Sequence, residues 1–301
     1  MKRRQNLRSL DTEKPNSASA GLDRMSSLDL VRVINREDEK VAPAVRKALP
    51  QIARAIDLIV PRLEKGGRLI YVGTGTSGRI AALDAAECPP TFGISSRRVQ
   101  FIMAGGRRAL GKAVEASEDS RADGRKAMAR RKPNKNDVVV GIAASGRTPF
   151  TIAALEYARA RGAATVAISC NRSSPLGRTA DIAIVAPVGP EVVAGSTRMK
   201  SGTAEKMILN MLSTGALTRL GYVYDNLMIN LHPKNVKLRE RAIAILERLT
   251  RAKREVTART LERSGDSVPV ALVMLQRGAT EAEARRLLQA HKGNVRKAIQ
   301  G

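Results

Sequence analysis

A chain of 301 residues, 43% of them hydrophobic, is long enough for one large domain or a main domain with a small appendage. Its formal charge of +25 would fit a nucleic-acid partner, attraction of anionic substrates or a solvated basic surface. Lys and Arg spread along the chain and only 2% aromatics leave little to stack on bases, so a nucleic-acid partner is not expected. The N-terminus MKRRQNLRSLDTEKPN has no apolar segment behind it, and no apolar run approaches the roughly 18–20 residues that span a bilayer. Two cysteines, Cys88 and Cys170, make neither a disulfide framework nor a metal-ligand spacing. The expectation is a cytoplasmic globular protein with reduced, packed thiols and no membrane partner.

In chain order, helical periodicity runs first from Asp38 to Leu63. Five short apolar runs then end in Gly, Ser or Asn: RLIYVG (Arg68 to Gly73), VQFIMAG (Val99 to Gly105), DVVVGIAASG (Asp137 to Gly146), ATVAISCN (Ala164 to Asn171) and DIAIVAPVG (Asp181 to Gly189). Between them lie helical segments at Ser77 to Ala86, Ala109 to Ala116, Arg121 to Arg131 and Pro149 to Arg161. Runs buried on both faces and alternating with helices predict a doubly wound α/β fold around a parallel sheet with right-handed crossovers. Ligands of such sheets bind beyond the carboxyl ends of the strands. Met199 to Leu220 reads as a covering helix and Ala242 to Leu261 as another. VALVMLQRG, TEAEARRLLQAHKG and NVRKAIQ then read as a small three-helix bundle, which divides the chain into residues 1–255 and 256–301.

Two loops carry anion-binding chemistry. GTGTSGR (Gly73 to Arg79) opens a helix, so backbone N–H groups and the hydroxyls of Thr74, Thr76 and Ser77 can face an anion at a positive helix end. ASGRTP (Ala144 to Pro149) repeats the arrangement with Ser145, Gly146 and Thr148. Gly73, Gly75 and Gly78 also satisfy a dinucleotide fingerprint, but the next strand ends FIMAGG, without the acid that would hold a ribose. A P-loop is excluded because no G-K-[ST] follows. A third segment, VGPEVVAGSTRMKSGTAEK (Val188 to Lys206), places Glu191, Ser196, Thr197, Lys200 and Thr203 just before a helix. It can complete a sugar site, or it is a capped helix start with Ser196 or Thr197 as N-cap.

GTGTSGR, DAAECPPTF, AVEASEDS, DVVVGIAASGRTP, GPEVVAGSTRMKSGTAEK and NLMINLHPKNVKL together resemble the N-acetylmuramic acid 6-phosphate etherase family of sugar isomerase (SIS) domain enzymes. The resemblance runs from EKPNSASAGLDRMSSLDLVRVINREDEKV to AEARRLLQAHKGNVRKAI. It implies an SIS-type three-layer αβα sandwich with a five-stranded sheet, a ubiquitin-associated-like C-terminal bundle and a homodimer. It also implies cleavage of the D-lactyl ether of N-acetylmuramic acid 6-phosphate in peptidoglycan recycling, without metal or nucleotide.

By the same resemblance the two catalytic glutamates are Glu87, in AAECPP, and Glu118, in EASEDS. Glu118 is then the base at C2, and Glu87 the acid that protonates lactate and later activates water. Thr74, Thr76, Ser77, Ser145, Gly146, Thr148, Glu191, Ser196 and Lys200, from the three polar segments, are expected to bind the substrate. A stiff CPPTF turn is expected to hold Glu87, since proline limits positional wobble. Glu115 reads as a neighbouring decoy, and His232 and His291 as structural or surface residues. Two departures stand out: Ala143 replaces the first serine of the usual phosphate loop, and Asn230 replaces an aspartate common in the family. A non-enzymatic SIS sensor of a sugar phosphate is the alternative, disfavoured by the retention of both glutamates and the compact length. An SIS transcription regulator would need a helix-turn-helix domain, for which the residues before Asp38 are too few.

Overall fold

The computed structural model describes residues 10–112, 117–231, 233 and 235–301. Glu115 and His232 lie outside the described residues. Two compact units are present: residues 1–85 with 97–213, and residues 86–96 with 214–301.

The first unit opens with 3-10 turns between Asp11 and Arg24 and then three helices, α1 (Ser27–Asp38), α2 (Val41–Arg46) and α3 (Leu49–Glu64). One helix was expected across Asp38 to Leu63; the chain instead turns at Glu39–Lys40 and again at Lys47–Ala48. Alternation follows through β1 (Leu69–Gly73), α4 (Gly75–Phe92), β2 (Val99–Met103), α5 (Arg121–Ala129), β3 (Val138–Ile142), α6 (Pro149–Ala160), β4 (Ala164–Ser169), α7 (Pro175–Thr179), β5 (Ile182–Val185) and α8 (Lys200–Arg219). Of the helix expected over Ala109 to Ala116, a 3-10 turn, Gly106–Leu110, covers the start, and residues 113–116 lie outside the described residues.

All strand pairs are parallel and the sheet order is β2-β1-β3-β4-β5. Strand residues such as Ile70, Val72, Val138, Val140, Val166 and Ile168 are fully buried, which explains why these segments read as continuous apolar runs. Ile70, Val72, Val139 and Ala167 join one core with Met128 of α5, Phe150, Ala154 and Leu155 of α6 and Leu176 of α7. Side chains alternate between faces along a strand. Tyr71 therefore points the other way, and its hydroxyl donates to Asp84 of α4 at 2.8 Å. Asp84 also accepts from Asn210 (2.7 Å) and Ser213 (3.1 Å) of α8. Helices thus cover both faces, giving the expected three layers.

The N-terminal leader is tied to the segment between β5 and α8. Asn16 donates to the Pro190 carbonyl and Ser19 to that of Val192, while the Gly195 N–H donates to Thr12.

The second unit contains α9 (Val236–Thr250), α10 (Arg254–Arg263), α11 (Val268–Arg277), α12 (Glu281–Ala290) and α13 (Val295–Gln300). The boundary expected at residue 255 falls inside α10. The reason is packing: Ile229, Leu231, Ala242 and Leu246 share one core with Leu261, Leu272, Ala284 and Val295, so the residues from Thr214 onward fold with the terminal helices. The single helix expected over Ala242 to Leu261 is broken at Arg251, whose φ of 57° ends α9 in the left-handed conformation. His291 follows α12 as its C-cap residue.

Candidate active site

In this sheet β1 is flanked by β2 and β3, so the connections leaving β1 and β3 diverge and open a crevice at the carboxyl ends of those strands. Both glycine-rich loops fall there. After β1, Thr74 and Ser77 are buried and Thr76 is partly exposed; Thr76 lies against Gly202 in the first turn of α8. After β3, the Ser145 hydroxyl accepts from the Arg147 N–H at 3.2 Å. Gly146 has φ +65°, and a Cβ there would stand 2.2 Å from the Ser174 Cβ, so only glycine permits this turn. Thr148 is the N-cap of α6, yet its hydroxyl makes no capping bond.

Glu118 enters the crevice between the two loops. Its carbonyl accepts from the Phe150 N–H at 3.1 Å, anchoring it to the first turn of α6. Two residues later Ser120 caps α5 by accepting from Asp123. With the backbone fixed on both sides, the half-buried Glu118 side chain places Oε1 beside Gly75 at the start of α4. Gly75 has φ +50°, and a Cβ built on it would lie 3.2 Å from that oxygen.

Glu87 belongs to the helical unit, where it is exposed and directly precedes the buried Cys88. The expected turn at CPPTF is instead helix: α4 runs through Pro89 and Pro90 to Phe92. Prolines here remove the intrahelical donors for the Ala85 and Ala86 carbonyls, and the helix stops at Gly93, with φ +64°, whose N–H donates to the Pro89 carbonyl. Asn230, in the same unit, donates its amide to the Tyr222 carbonyl at 2.9 Å. An aspartate could not make that bond.

Two residues of the third segment, Glu191 and Lys200, have other partners. Glu191 is fully buried and accepts from the Lys200 N–H (3.0 Å), the Ser201 N–H (2.9 Å) and the Ser201 hydroxyl (2.7 Å), so it caps α8 from nine residues away. Lys200 is buried and its ammonium donates to Glu37 of α1. Ser196 and Thr197 are partly exposed in the turn before α8, and the Thr197 carbonyl accepts from Gly202. Burial works against ionising Glu37, but hydrogen bonds from Lys200, Lys40 and Asn16 outweigh it and lower its pKa to about 2.

Sequence reasoning missed Glu205. This carboxyl is fully buried in α8; its Oε1 lies 2.9 Å from the Ser77 hydroxyl, and its Oε2 has no hydrogen-bond partner among the described residues. Burial pushes it up to about 8, against the bond from Ser77 and with help from the charge of Glu191. The signal was present: Glu205 sits three and four residues before Ile208 and Leu209, on the apolar stripe of its helix.

Two family models match the chain: the glucokinase regulatory protein N-terminal SIS domain over residues 51–159 and the SIS domain over residues 108–214. The doubly wound sheet, the crevice at its switch point and these matches define a protein built on an SIS domain. A phosphoheptose isomerase from Francisella tularensis superposes with a TM-score of 0.48 at 20% identity, over 65% of this chain and 100% of that one. Over nearly the whole length, the chain is 47% identical to N-acetylmuramic acid 6-phosphate etherase 1 of Bacillus licheniformis, covering 97% of this chain and 96% of that protein. It is 49% identical to the N-acetylmuramic acid 6-phosphate etherase of Aeromonas hydrophila (96% and 97% covered) and to that of Serratia proteamaculans (98% and 99%). The chain belongs to the N-acetylmuramic acid 6-phosphate etherase family.

Proposed function

We propose that this protein is a lyase that cleaves the D-lactyl ether of N-acetylmuramic acid 6-phosphate, yielding N-acetylglucosamine 6-phosphate and D-lactate in the recycling of cell-wall amino sugars. The observation that carries the reading is near-full-length identity of 47–49% to the etherases. The position of Glu118 in the crevice between the two glycine-rich loops supports it.

The substrate dictates the chemistry. In the ring-opened sugar the C2 hydrogen lies α to the C1 aldehyde, and the lactyl oxygen is on C3. A base removes the C2 proton, the C3–O bond breaks, and the departing lactate oxygen takes a proton from an acid. Water then adds at C3 and a proton returns to C2, so the net reaction is hydrolysis of the ether. We assign Glu118 as the base and Glu87 as the acid that protonates lactate and afterwards activates water. Division of such roles between two carboxyl groups requires different environments, and half-buried Glu118 and exposed Glu87 have them.

The sugar phosphate and its hydroxyls are received by Thr74, Thr76, Ser77, Ser145, Gly146 and Thr148, with Ser196 beside them. Glu191 and Lys200, expected at the substrate, we assign to holding the start of α8. Among the described residues no helix is long and apolar enough to cross a membrane. A homodimer in the cytoplasm completes the proposal, and sedimentation of purified protein tests the assembly. The activity itself is tested by D-lactate release from N-acetylmuramic acid 6-phosphate in a chelator-treated buffer: lactate is expected, and its absence from a folded sample overturns the reading.

A further inference from the structure

We infer that Glu205 is a positioning residue for Ser77: as a buried acid it donates its proton to the Ser77 oxygen and leaves the Ser77 hydroxyl hydrogen for an anion at the first turn of α4. The inference rests on the reading above, that this turn receives the sugar phosphate.

Geometry leads to it in three steps. The Glu205 carboxyl is fully enclosed, and among the described residues only its Oε1 has a partner, the Ser77 hydroxyl at 2.9 Å. As a carboxylate, Glu205 would be a buried charge held by one neutral hydroxyl, an arrangement that desolvation strongly disfavours. As an acid it has two places for its proton. On Oε2 the proton would be a donor without an acceptor; on Oε1 it bonds the Ser77 oxygen and leaves only a carbonyl oxygen unpaired, the milder deficiency.

A serine hydroxyl has one hydrogen, so the direction of this single bond decides what Ser77 can do. With Glu205 neutral, Ser77 accepts from it and can donate elsewhere. With Glu205 ionised, Ser77 must donate inward, and a negative charge stands directly behind the turn. The pKa of about 8 makes the neutral form dominant at neutral pH.

Groups from three neighbouring segments face Glu205. Ser77 comes from α4, Glu191 from the segment after β5, and Cys170 from the end of β4. Glu191 has its oxygens engaged by Lys200 and Ser201, and burial raises the Cys170 thiol far above its ordinary value. Lys206, next to Glu205 in sequence, is exposed.

The test has two readouts on the full chain. Infrared difference spectra between pH 6.5 and 9.5 should contain the carbonyl stretch of a protonated carboxyl that disappears with a midpoint near 8 and is absent in Glu205→Gln. Calorimetric binding of N-acetylglucosamine 6-phosphate between pH 7.5 and 9.5, where the phosphate is already a dianion, should weaken by about tenfold in the parent and stay flat in Glu205→Gln. Glu205→Gln keeps a donor toward Ser77, whereas Ser77→Ala should bind as weakly at pH 7.5 as the parent does at 9.5. A missing infrared band, or equal weakening in parent and Glu205→Gln, overturns the inference. Both signatures present with no lactate release would count against the etherase reading and leave this one standing.

Discussion

A Cβ on Gly75 would come within 3.2 Å of Glu118 Oε1, so the start of α4 and the proposed base share a space that only glycine leaves open. Gly75→Ala should therefore act twice. The left-handed φ of +50° costs an alanine about 1–2 kcal/mol, and the added methyl displaces the carboxylate. Lactate release is expected to fall by roughly 10- to 100-fold, far more than a melting shift of that size would explain. A variant that melts lower but keeps full activity would show that Glu118 does not act from this position.

The two glutamates can be separated by isotope exchange. In heavy water, Glu87→Ala should still wash deuterium into C2 of the substrate while losing lactate release, because proton removal precedes departure of the ether. Glu118→Ala should lose both, by at least about a hundredfold. Normal exchange in Glu118→Ala would refute the role assignment even if the reaction stands.

Two buried glutamates give the stability profile opposite slopes. Glu37, lowered from 4.5 to about 2, contributes stability that is present above pH 4.5 and lost as the pH falls toward 2. Glu205, raised from 4.5 to about 8, contributes stability that is complete below pH 4.5 and is lost as the pH rises through 8. Urea melts of Glu205→Gln should therefore gain on the parent by about 1.4 kcal/mol per pH unit between these limits. A parallel pair of profiles would rule out the buried acid.

Asn230→Asp should destabilise the helical unit, although it introduces the residue that the family resemblance leads one to expect there. The Asn230 amide donates to the Tyr222 carbonyl, and a carboxylate would set acceptor against acceptor, costing about 1–3 kcal/mol. Thermal melting checks it: an unchanged or higher midpoint would mean the segment rearranges to accept the acid.

The sheet was readable from the sequence because strands buried on both faces leave an unmistakable record: LIYVG and VVVGI contain no charged residue, and their one hydroxyl is that of Tyr71. Where chain punctuation was subtle, the reading overran. Nothing in Asp38 to Leu63 announces the bends around α2, and Arg251 takes a left-handed φ without being glycine. CPPTF misled for the opposite reason, since prolines usually mark a turn but α4 tolerates two in its last turns. At the site, loop composition located the crevice but could not say which polar groups were already engaged. Glu191 and Lys200 looked available because a carboxylate's partners nine residues away, or in a helix 163 residues earlier, are properties of the fold.

A helix start at the carboxyl end of a parallel sheet attracts negative charge, and those of α4, α6 and α8 lie there together with the shorter α5 and α7. Glu191 is a carboxyl group of the chain itself already seated at α8, bound by two backbone N–H groups and a hydroxyl as a phosphate oxygen would be. The protein has thereby closed the start of α8 with its own chain, and under the proposed reading the phosphate is received at the starts of α4 and α6, on either side of Glu118.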